Sequence, residues 1–541
     1  MPRAALLLAL CLPATALAAD FAVPTAPVAA TVFLSGATLE RAGSADLPAG
    51  AHRLLLPLPA EPGAAPDLAA GIAVEGARLT GLRAVAALPA ARSELLTPAQ
   101  SDALEALRAA RAAVAEQEDA LARLRAEVEG QEARIEVLRG VAPGAEPEVM
   151  AAAAAAVADG VAEATAAIVA AQAGIRDAQA ALEDARIVAA RAEAALAATG
   201  APEDGAPGLI AEIVVDAPGP IEVSLVQQVR DAGWAPVYDL RLDSGAGTLR
   251  IERRAELRQA TGEAWPAIAL TLSTAEPEGR LAPAEPFPDI ARIVDPDEAP
   301  PAPPVPLQER GAEAAMLRST PMDMPEAAPV QNGFALSYAV PGAVTVPDDD
   351  DSGAATVLAL GDVEVTPEIA LRAVPEFERT AFVVATADNP GETLVPGEAR
   401  HWRDGALVGR GWLSGWAEGA EAVLPFGPVE TLRLDHVVLT QDEGRAGVIR
   451  GGTERTTRVR FSVENTGAEA REVTALYALP VSEQSALRIA VEAAPSPDRR
   501  DVDDVRGVAA WDMTLAPGER RQVELTFSFD WPQDRVLLWA P

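Results

Sequence analysis

The residues of this chain that could do chemistry are few and widely separated. Its three histidines, His52, His401 and His436, lack the paired spacing of a zinc site. His401 is followed closely by Asp404, an acid that could orient it, but no G-x-S-x-G nucleophile motif accompanies them. We therefore predict no catalytic residues, no metal ligands and no cofactor, and we favour a non-catalytic role while leaving enzymatic activity open.

Carboxylates are abundant, but their pattern selects no particular pair. A glycosidase needs only two carboxyl groups about 5 to 10 Å apart, and this chain has 80 acidic residues. The run 348–351 could offer oxygen ligands to calcium, yet it lacks the spaced pattern and closing glutamate of a calcium loop. We predict that 348–351 form a solvated turn. Because the sequence selects no pair of carboxylates, action on a polysaccharide remains an open alternative.

Tryptophan is the aromatic residue with the clearest binding potential. The chain has eight tryptophans although only 4% of its residues are aromatic. An indole ring can stack on a sugar or pack inside a core, and exposed apolar surface usually marks an interaction site. The candidate glycan-stacking residues are Trp402, Trp412 and Trp416. If two of these three rings faced solvent, they would form a platform for an envelope glycan.

Length and charge narrow the class of protein. A chain of 541 residues, 49% of them hydrophobic, can form several domains. Its net charge is −36, and all 44 basic residues are arginine. The absence of lysine excludes Schiff-base, pyridoxal-phosphate and phosphate-loop chemistry. Phosphate backbones are bound through basic patches, so we predict no nucleic-acid partner.

The first 19 residues are typical of a secretory signal peptide. Arg3 precedes an apolar stretch and small residues stand just before Asp20. This predicts a protein of the periplasm or cell envelope. The only cysteine, Cys11, lies inside the signal, and whether it is ever lipidated is left open. No later segment has the appearance of a membrane helix, so we expect no transmembrane segment in the mature chain.

Apolar residues at heptad spacing predict two long helices in residues 93–200. Thr97, Pro98 and Gln100 form a capping-box sequence where the first would begin, Gly140 would close it in the left-handed conformation, and Pro147 would open the second. We expect an antiparallel coiled-coil hairpin that binds an envelope protein or a second copy of the chain. The predicted seam residues are Leu107, Val114, Leu121, Val128, Ile135, Val161, Ile168, Ile175, Leu182 and Leu196.

Outside this region apolar residues recur at every second position, which predicts strands. The last strand is the clearest, with apolar side chains alternating from Val523 to Trp531. The predicted fold class is therefore α+β, with a β-rich N-terminal domain, the coiled-coil hairpin and one or more C-terminal β-sandwich-like domains. The predicted β-rich segments are 20–92, 201–282 and 336–541, with a disordered proline-rich, acidic linker over 283–335.

Several segments resemble the mucoidy-inhibitor (MuiA-like) family of bacterial envelope proteins. The most specific are GWAPVYDLRLD (233–243), TGEAWPAIALTLSTAEP (261–277), AVPEFERTAFVVATADN (373–389) and LVPGEARHWRDGALVGRGWL (394–413), with similar stretches over 31–59 and 511–535. The resemblance implies N-terminal and C-terminal domains of unknown function on either side of a coiled coil, and a link to exopolysaccharide. It supplies no catalytic residues.

These observations predict a non-catalytic scaffold or interaction protein of the periplasm or envelope that affects exopolysaccharide or envelope homeostasis. Two alternatives stay open. One is an efflux-type periplasmic adaptor, because such adaptors also carry a helical hairpin on β modules. The other is an enzyme or binding protein that acts on envelope polysaccharide.

Overall fold

The computed structural model describes residues 19–59, 66, 71–142, 147–277, 328–332, 335–349, 353, 355–446, 452–532 and 535–539. The predicted signal peptide, apart from Ala19, and most of the predicted linker lie outside the described residues. The chain divides into two compact units. The first unit comprises Met1–Trp234 and Leu257–Thr356, and the second comprises Ala235–Glu256 and Val357–Pro541.

Two sheets and three helices build the first unit. The strands up to the helices are β1 Ala19–Ala22, β2 Ala26–Val32, β3 Ala37–Leu47, β4 Gly50–Pro57, β5 Gly71–Glu75 and β6 Arg78–Val85. The helices are α1 Arg92–Leu95, α2 Pro98–Arg139 and α3 Pro147–Ala198. After them come β7 Gly208–Val215, β8 Gly219–Val229, β11 Trp265–Ser273, β12 Ala328–Asn332 and β13 Ala335–Val346. Between β8 and β11 the chain forms β9 Ala232–Asp243 and β10 Thr248–Gln259, which belong to a sheet of the second unit.

The core of the first unit lies between these two sheets. One sheet has the order β1-β4-β7-β6 and the other β12-β13-β11-β2-β3-β8-β5. Alternate residues of β7, such as Leu209 and Ile213, point to one side of their sheet and are buried. They share a core with Ile221, Val223 and Leu225 of β8. The two-residue period of the sequence is therefore explained by burial of one face of each sheet.

Local sequence determines where the helices begin. The Thr97 hydroxyl accepts the Gln100 backbone N–H and the Gln100 side chain accepts the Thr97 N–H, which confirms the predicted capping box. The predicted left-handed closure at Gly140 is wrong, because Gly140 has φ −80° and its N–H instead donates to the carbonyls of the preceding turn. Helix α3 begins at Pro147, as predicted.

Exposed ion pairs join the two long helices. They are Arg111 with Glu193, Glu118 with Arg186 and Arg134 with Glu163, at 2.9, 3.0 and 2.7 Å. Residues Glu148–Ala198 of α3 are long and apolar enough to cross a membrane, by length and composition alone. One such helix is weak evidence for a membrane span, and Glu163, Arg186 and Glu193 carry charge along it.

The predicted fold class is wrong. The described chain is mostly β-sheet, with 51% of it in strands, and its three helices form one region of the N-terminal half. No long coiled-coil seam is seen among the described residues. Of the ten predicted seam residues, Leu107, Leu121, Leu182 and Leu196 are buried, whereas the others are only partly covered. Alanines outside the predicted seam, such as Ala164 and Ala171, take the buried positions of α3 instead. The heptad spacing correctly indicated helices, but it does not report how completely a seam is buried.

The second unit contains two further sheets. Its remaining strands are β14 Thr356–Val365, β15 Glu368–Ala373, β16 Thr380–Asp388, β17 Gly397–Arg403, β18 Ala406–Leu413, β19 Glu421–Ala446, β20 Gly452–Asn465, β21 Arg471–Ala478, β22 Arg488–Ala494, β23 Arg499–Arg500, β24 Val508–Leu515 and β25 Arg520–Pro532. A short 3₁₀ helix covers Val502–Asp504. The sheets have the orders β14-β10-β9-β17-β18 and β22-β25-β20-β19-β16-β15-β21-β24-β23.

The nine-stranded sheet curls so that strands far apart in its order share a core. Phe461 of β20 stacks on Tyr477 of β21 and meets Trp511 of β24 edge-on, with ring centroids 5.7 and 5.3 Å apart. The alternating apolar residues from Val523 to Trp531 are all buried, which confirms the pattern predicted for the last strand. This core and the one beneath the five-stranded sheet are large apolar clusters among the described residues of the second unit.

Candidate interaction surface

The five-stranded sheet of the second unit has an apolar face and a charged face. Its inner face contributes Tyr238, Leu240 and Leu242 of β9 to a core that includes Phe426. The residues between them, Asp239 and Arg241, point to the outer face, because successive side chains of a strand alternate. Strands β9 and β17 are parallel, with Asp239 beside Arg400 and Arg241 beside Trp402. The outer face therefore carries charges and a tryptophan side by side.

Asp239 is the centre of the network on this face. Its carboxylate is only 2% exposed. It accepts a hydrogen bond from Arg254 Nη1 at 2.5 Å, one from Arg400 Nη2 at 2.9 Å and one from the Trp402 indole Nε1 at 3.0 Å. A buried carboxylate is tolerated when it is paired and hydrogen-bonded in this way. Asp239 thus fixes the positions of three side chains at once.

Trp402 is further held by a cation on its ring. The Arg241 guanidinium lies 4.6 Å from the ring centroid, an arrangement that contributes about 0.5–1 kcal/mol at exposed sites. Glu252 forms an ion pair with Arg241, with Oε1 2.7 Å from Nε, and accepts a hydrogen bond from Arg254 Nη2 at 2.9 Å, and so joins the two arginines. These contacts leave Trp402 half-buried, with its N–H bonded and one ring face covered.

Strand β18 extends the outer face to the edge of the sheet. In the antiparallel register with β17, Trp412 lies opposite Glu398 and Arg410 lies opposite Arg400. Trp412 is 67% exposed. Arg410 is also exposed, and in the described part of the chain no carboxylate pairs with it. We call the set Asp239, Arg241, Arg400, Trp402, Arg410 and Trp412 the tryptophan face.

The three candidate glycan-stacking tryptophans therefore occupy different environments. Trp412 faces solvent and Trp402 is half-buried on the same face of the sheet. Trp416 is 2% exposed, donates its indole N–H to the Ala420 carbonyl at 2.8 Å and belongs to the core. The structure thus offers one freely exposed ring, and glycan stacking by these residues stays a prediction.

The structure does not bring His401 and Asp404 together as a base with its acid. His401 points to the inner face, packs edge-on against Phe426 and is 8% exposed, and this burial lowers its pKa. Asp404 lies in the turn after β17 and accepts from the backbone N–H and hydroxyl of Ser244. The two side chains therefore have different partners, Phe426 for His401 and Ser244 for Asp404.

The other groups considered from the sequence also have structural partners. His52 Nε2 lies 2.9 Å from the Pro48 carbonyl. Asp348 accepts the backbone N–H of Gly262, 86 residues away, and Asp349 accepts that of Gly353, while residues 350 and 351 fall outside the described part of the chain. Within the described residues no group of three or more His, Cys, Asp or Glu side chains could hold a metal ion.

Sequence reasoning missed Asp239, Arg241, Arg254 and Arg400. A signal was present in one of the two strands, because charged residues alternate with apolar ones over Asp239–Asp243, whereas Ala399–Arg403 shows no such alternation. That pattern predicts a strand with one charged face. It does not say which strands are neighbours, so the pairing across the sheet was not predictable.

The second unit is therefore a β-sheet structure whose outer surface carries ordered charged and aromatic side chains. A family model described as "Domain of unknown function (DUF4139)" matches residues 223–533, which include the whole tryptophan face. The match covers more than half of the chain, and the chain belongs to this family.

A more distant relationship extends to an animal protein. The chain is 22% identical over 354 residues to "Protein F37C4.5" of Caenorhabditis elegans. The aligned region is 60% of this chain and 62% of the worm protein, so the chain spans less than two thirds of that relative's length. No solved structure matches the chain.

Proposed function

We propose that this chain is a non-catalytic interaction protein of the cell envelope that binds an acidic polysaccharide through the tryptophan face. The observation that carries the proposal is Trp412, which is 67% exposed and stands next to the exposed Arg410. Large exposed aromatic rings are uncommon on strands that pack in sheets, and exposed apolar surface usually marks an interaction site.

The chemistry of the face suits a sugar polymer. The ring of Trp412 offers a flat surface to the C–H face of a sugar, and the Arg410 guanidinium offers N–H donors to hydroxyl or carboxylate oxygens. Trp402 and Arg400 are already fixed by Asp239. A prearranged surface loses little side-chain entropy on binding, which favours affinity.

Local charge supports an acidic rather than a neutral polymer. The network contains Arg241, Arg254 and Arg400 against the carboxylates of Asp239 and Glu252. Arg410 adds a cation beside it and the exposed Glu398, opposite Trp412, adds a carboxylate, so cations remain in excess by one. The net charge of the chain is −36. At physiological salt, charges are screened beyond about 8 Å. The arginines of this face, rather than the net charge of the chain, therefore determine the electrostatic attraction felt by a ligand bound there.

The envelope location and the link to exopolysaccharide belong to the same proposal. The signal-like first 19 residues support secretion. The finer MuiA-like assignment is supported by sequence segments that fall inside the region matched by the family model, such as 233–243 and 394–413. Both segments contribute strands to the tryptophan face.

The test is electrophoresis of the native full-length protein through gels that contain alginate, a polyuronate, or neutral dextran. We expect alginate to retard the protein more than dextran, and Trp412→Ala and Arg410→Gln to remove most of the retardation. Phe377→Ala removes another exposed aromatic ring of the second unit, outside the tryptophan face, and serves as the control. Equal retardation of all variants, or none by alginate, would contradict the proposal.

A further inference from the structure

Glu398 is an exposed carboxylate at the border of the tryptophan face. Alternate residues of a strand point to one face of a sheet, and Ala399, between Glu398 and Arg400 on β17, is fully buried. Glu398 therefore lies on the same outer face as Arg400. In the register with β18 it lies directly opposite Trp412. Among the described residues the Glu398 side chain makes no hydrogen bond or ion pair, so its carboxylate is free to meet a ligand.

The charge of the outer face changes sign between two neighbouring cross-strand pairs. One pair is Trp412 with Glu398, and the next pair on the same face is Arg410 with Arg400. Two residues along a strand rise by about 6–7 Å, which is comparable with the length of one sugar ring and its glycosidic link. Two adjacent sugars of a chain bound along β18 would therefore meet different charges, a carboxylate beside the first and guanidinium groups beside the second.

The arginine pair favours an anion. Like charges directly opposite each other on a sheet are destabilising. The charge of Arg400 is offset by Asp239, whereas Arg410 pairs with no carboxylate in the described part of the chain. Glu398 is diagonal to Arg410, and diagonal positions lie about 7–8 Å apart, so the two form no ion pair. A carboxylate brought by a ligand would give Arg410 a charge-assisted partner and reduce the repulsion between the two arginines.

The pair of Trp412 with Glu398 favours an uncharged sugar. A sugar stacked on the Trp412 ring would lie beside the Glu398 carboxylate, which accepts hydrogen bonds from hydroxyl or amide donors. A carboxylate on that sugar would instead meet a like charge. Two unit charges of the same sign about 5 Å apart in water weaken an interaction about fourfold. The two neighbouring pairs therefore select opposite properties in adjacent sugars.

We propose that Glu398 determines the specificity of the tryptophan face for a polymer in which an uncharged sugar adjoins an acidic one. The uncharged sugar lies on Trp412 and the acidic sugar lies over Arg410. This inference rests on the proposed binding of an acidic polysaccharide and narrows its ligand. A polymer of uronic acids alone places a carboxylate against Glu398 in every register, and a neutral polymer brings no anion to Arg410.

The experiment compares two polymers in native gels run with the full-length protein. Hyaluronan alternates N-acetylglucosamine with glucuronate, whereas alginate carries a carboxylate on every sugar. Retardation over a series of polymer concentrations, relative to a gel without polymer, gives an apparent affinity. Glu398→Gln keeps the shape and an acceptor but loses the charge. We expect it to strengthen alginate binding about two- to fivefold and to change hyaluronan binding by less than about twofold. The gain with alginate should shrink when salt is added, because exposed charges are screened.

The matched control is Glu472→Gln, which removes the same charge from an exposed position of β21 in the other sheet of the second unit. Both variants change the net charge of −36 equally, so a difference between them reports the position of the carboxylate. Equal effects of the two variants, or equal changes with both polymers in Glu398→Gln, would overturn the specificity inference. The proposed function would then still stand if Trp412→Ala removes the retardation by alginate. If neither polymer retards the unsubstituted protein, both proposals are overturned.

Discussion

His436 Nε2 lies 3.1 Å from the hydroxyl of Tyr477, at the border of the aromatic core of the second unit. Burial lowers the pKa of His436, and the nearby Arg379 lowers it further. Burial also raises the pKa of Tyr477. The neutral forms of both rings are therefore favoured in the folded state, and the pair makes folding sensitive to acid.

We expect the second unit to lose stability as pH falls below about 6.5, the ordinary histidine pKa. Below that value the unfolded chain binds a proton at His436 that the folded chain resists, so unfolding is favoured. Burial lowers the pKa of His401 as well, and its effect has the same sign. Urea unfolding between pH 5 and 8 should show this dependence, and His436→Gln should reduce it. An unchanged slope in that variant would contradict the assignment.

Glu376 should act in the opposite direction. Burial raises the pKa of its carboxyl, and one of its oxygens is buried without a hydrogen-bond partner among the described residues. The charged form is thus disfavoured on folding, so stability falls as pH rises from about 4.5, the value of a free glutamate, through the raised folded value.

Replacing Glu376 by Gln should therefore raise the melting temperature at pH 7 and have a smaller effect near pH 4.5. Thermal unfolding at the two pH values measures the difference. Glu378→Gln, at an exposed position two residues away, is the matched control and should change little. A melting temperature at pH 7 that falls in Glu376→Gln would refute the expectation.

Asp239→Asn should be strongly destabilising. The change leaves Arg254 and Arg400 without their buried carboxylate, and breaking a buried ion pair by removal of one partner costs about 3–5 kcal/mol. Asp362→Asn breaks the exposed pair with Arg250 and should cost less than about 1 kcal/mol. Urea unfolding of both variants tests the contrast, and similar costs would mean that the network does not stabilise the sheet.

Gly200→Ala should destabilise the first unit by more than Gly262→Ala. Both glycines have positive φ, so each alanine incurs backbone strain of about 1–2 kcal/mol. A Cβ at Gly262 meets nothing within 4 Å, whereas one at Gly200 meets Glu263 and the Gly262 carbonyl. Denaturation curves of the two variants give the difference in unfolding free energy. Equal losses would show that the close approach of Gly200 to residues 262 and 263 does not limit the side chain at position 200.

The features that sequence predicted correctly depend on neighbours in the chain. The capping box needs only Thr97 and Gln100, and the buried face of β25 follows from alternation between Val523 and Trp531. The features that it missed depend on distant partners. Asp239 accepts from Arg400 and Trp402, which lie 161 and 163 residues later. Only the parallel register of β9 with β17 brings them together, and no local pattern encodes that register.

The fold class failed for a related reason. Heptad spacing predicted two long helices within 93–200, but it did not report how much of each side chain the partner helix would cover. Small residues settle that question, since Ala164 and Ala171 are buried where Val161 and Ile168 are only partly covered. The many strands were hard to predict for a different reason. Each is a short segment, and a short segment gives only a weak pattern in the sequence.

Arg410 stands on β18, the last strand of its sheet among the described residues, and the outward backbone N–H and C=O groups of β18 pair with no further strand in that part of the chain. An unpaired strand edge is a template for the strands of other molecules, and a charged side chain on it opposes such growth. Strand β18 has two glycines, no proline and Arg410 as its single charge. The same guanidinium that we assign to ligand contact therefore also protects the protein from aggregation, so selection would retain it even where the ligand is absent.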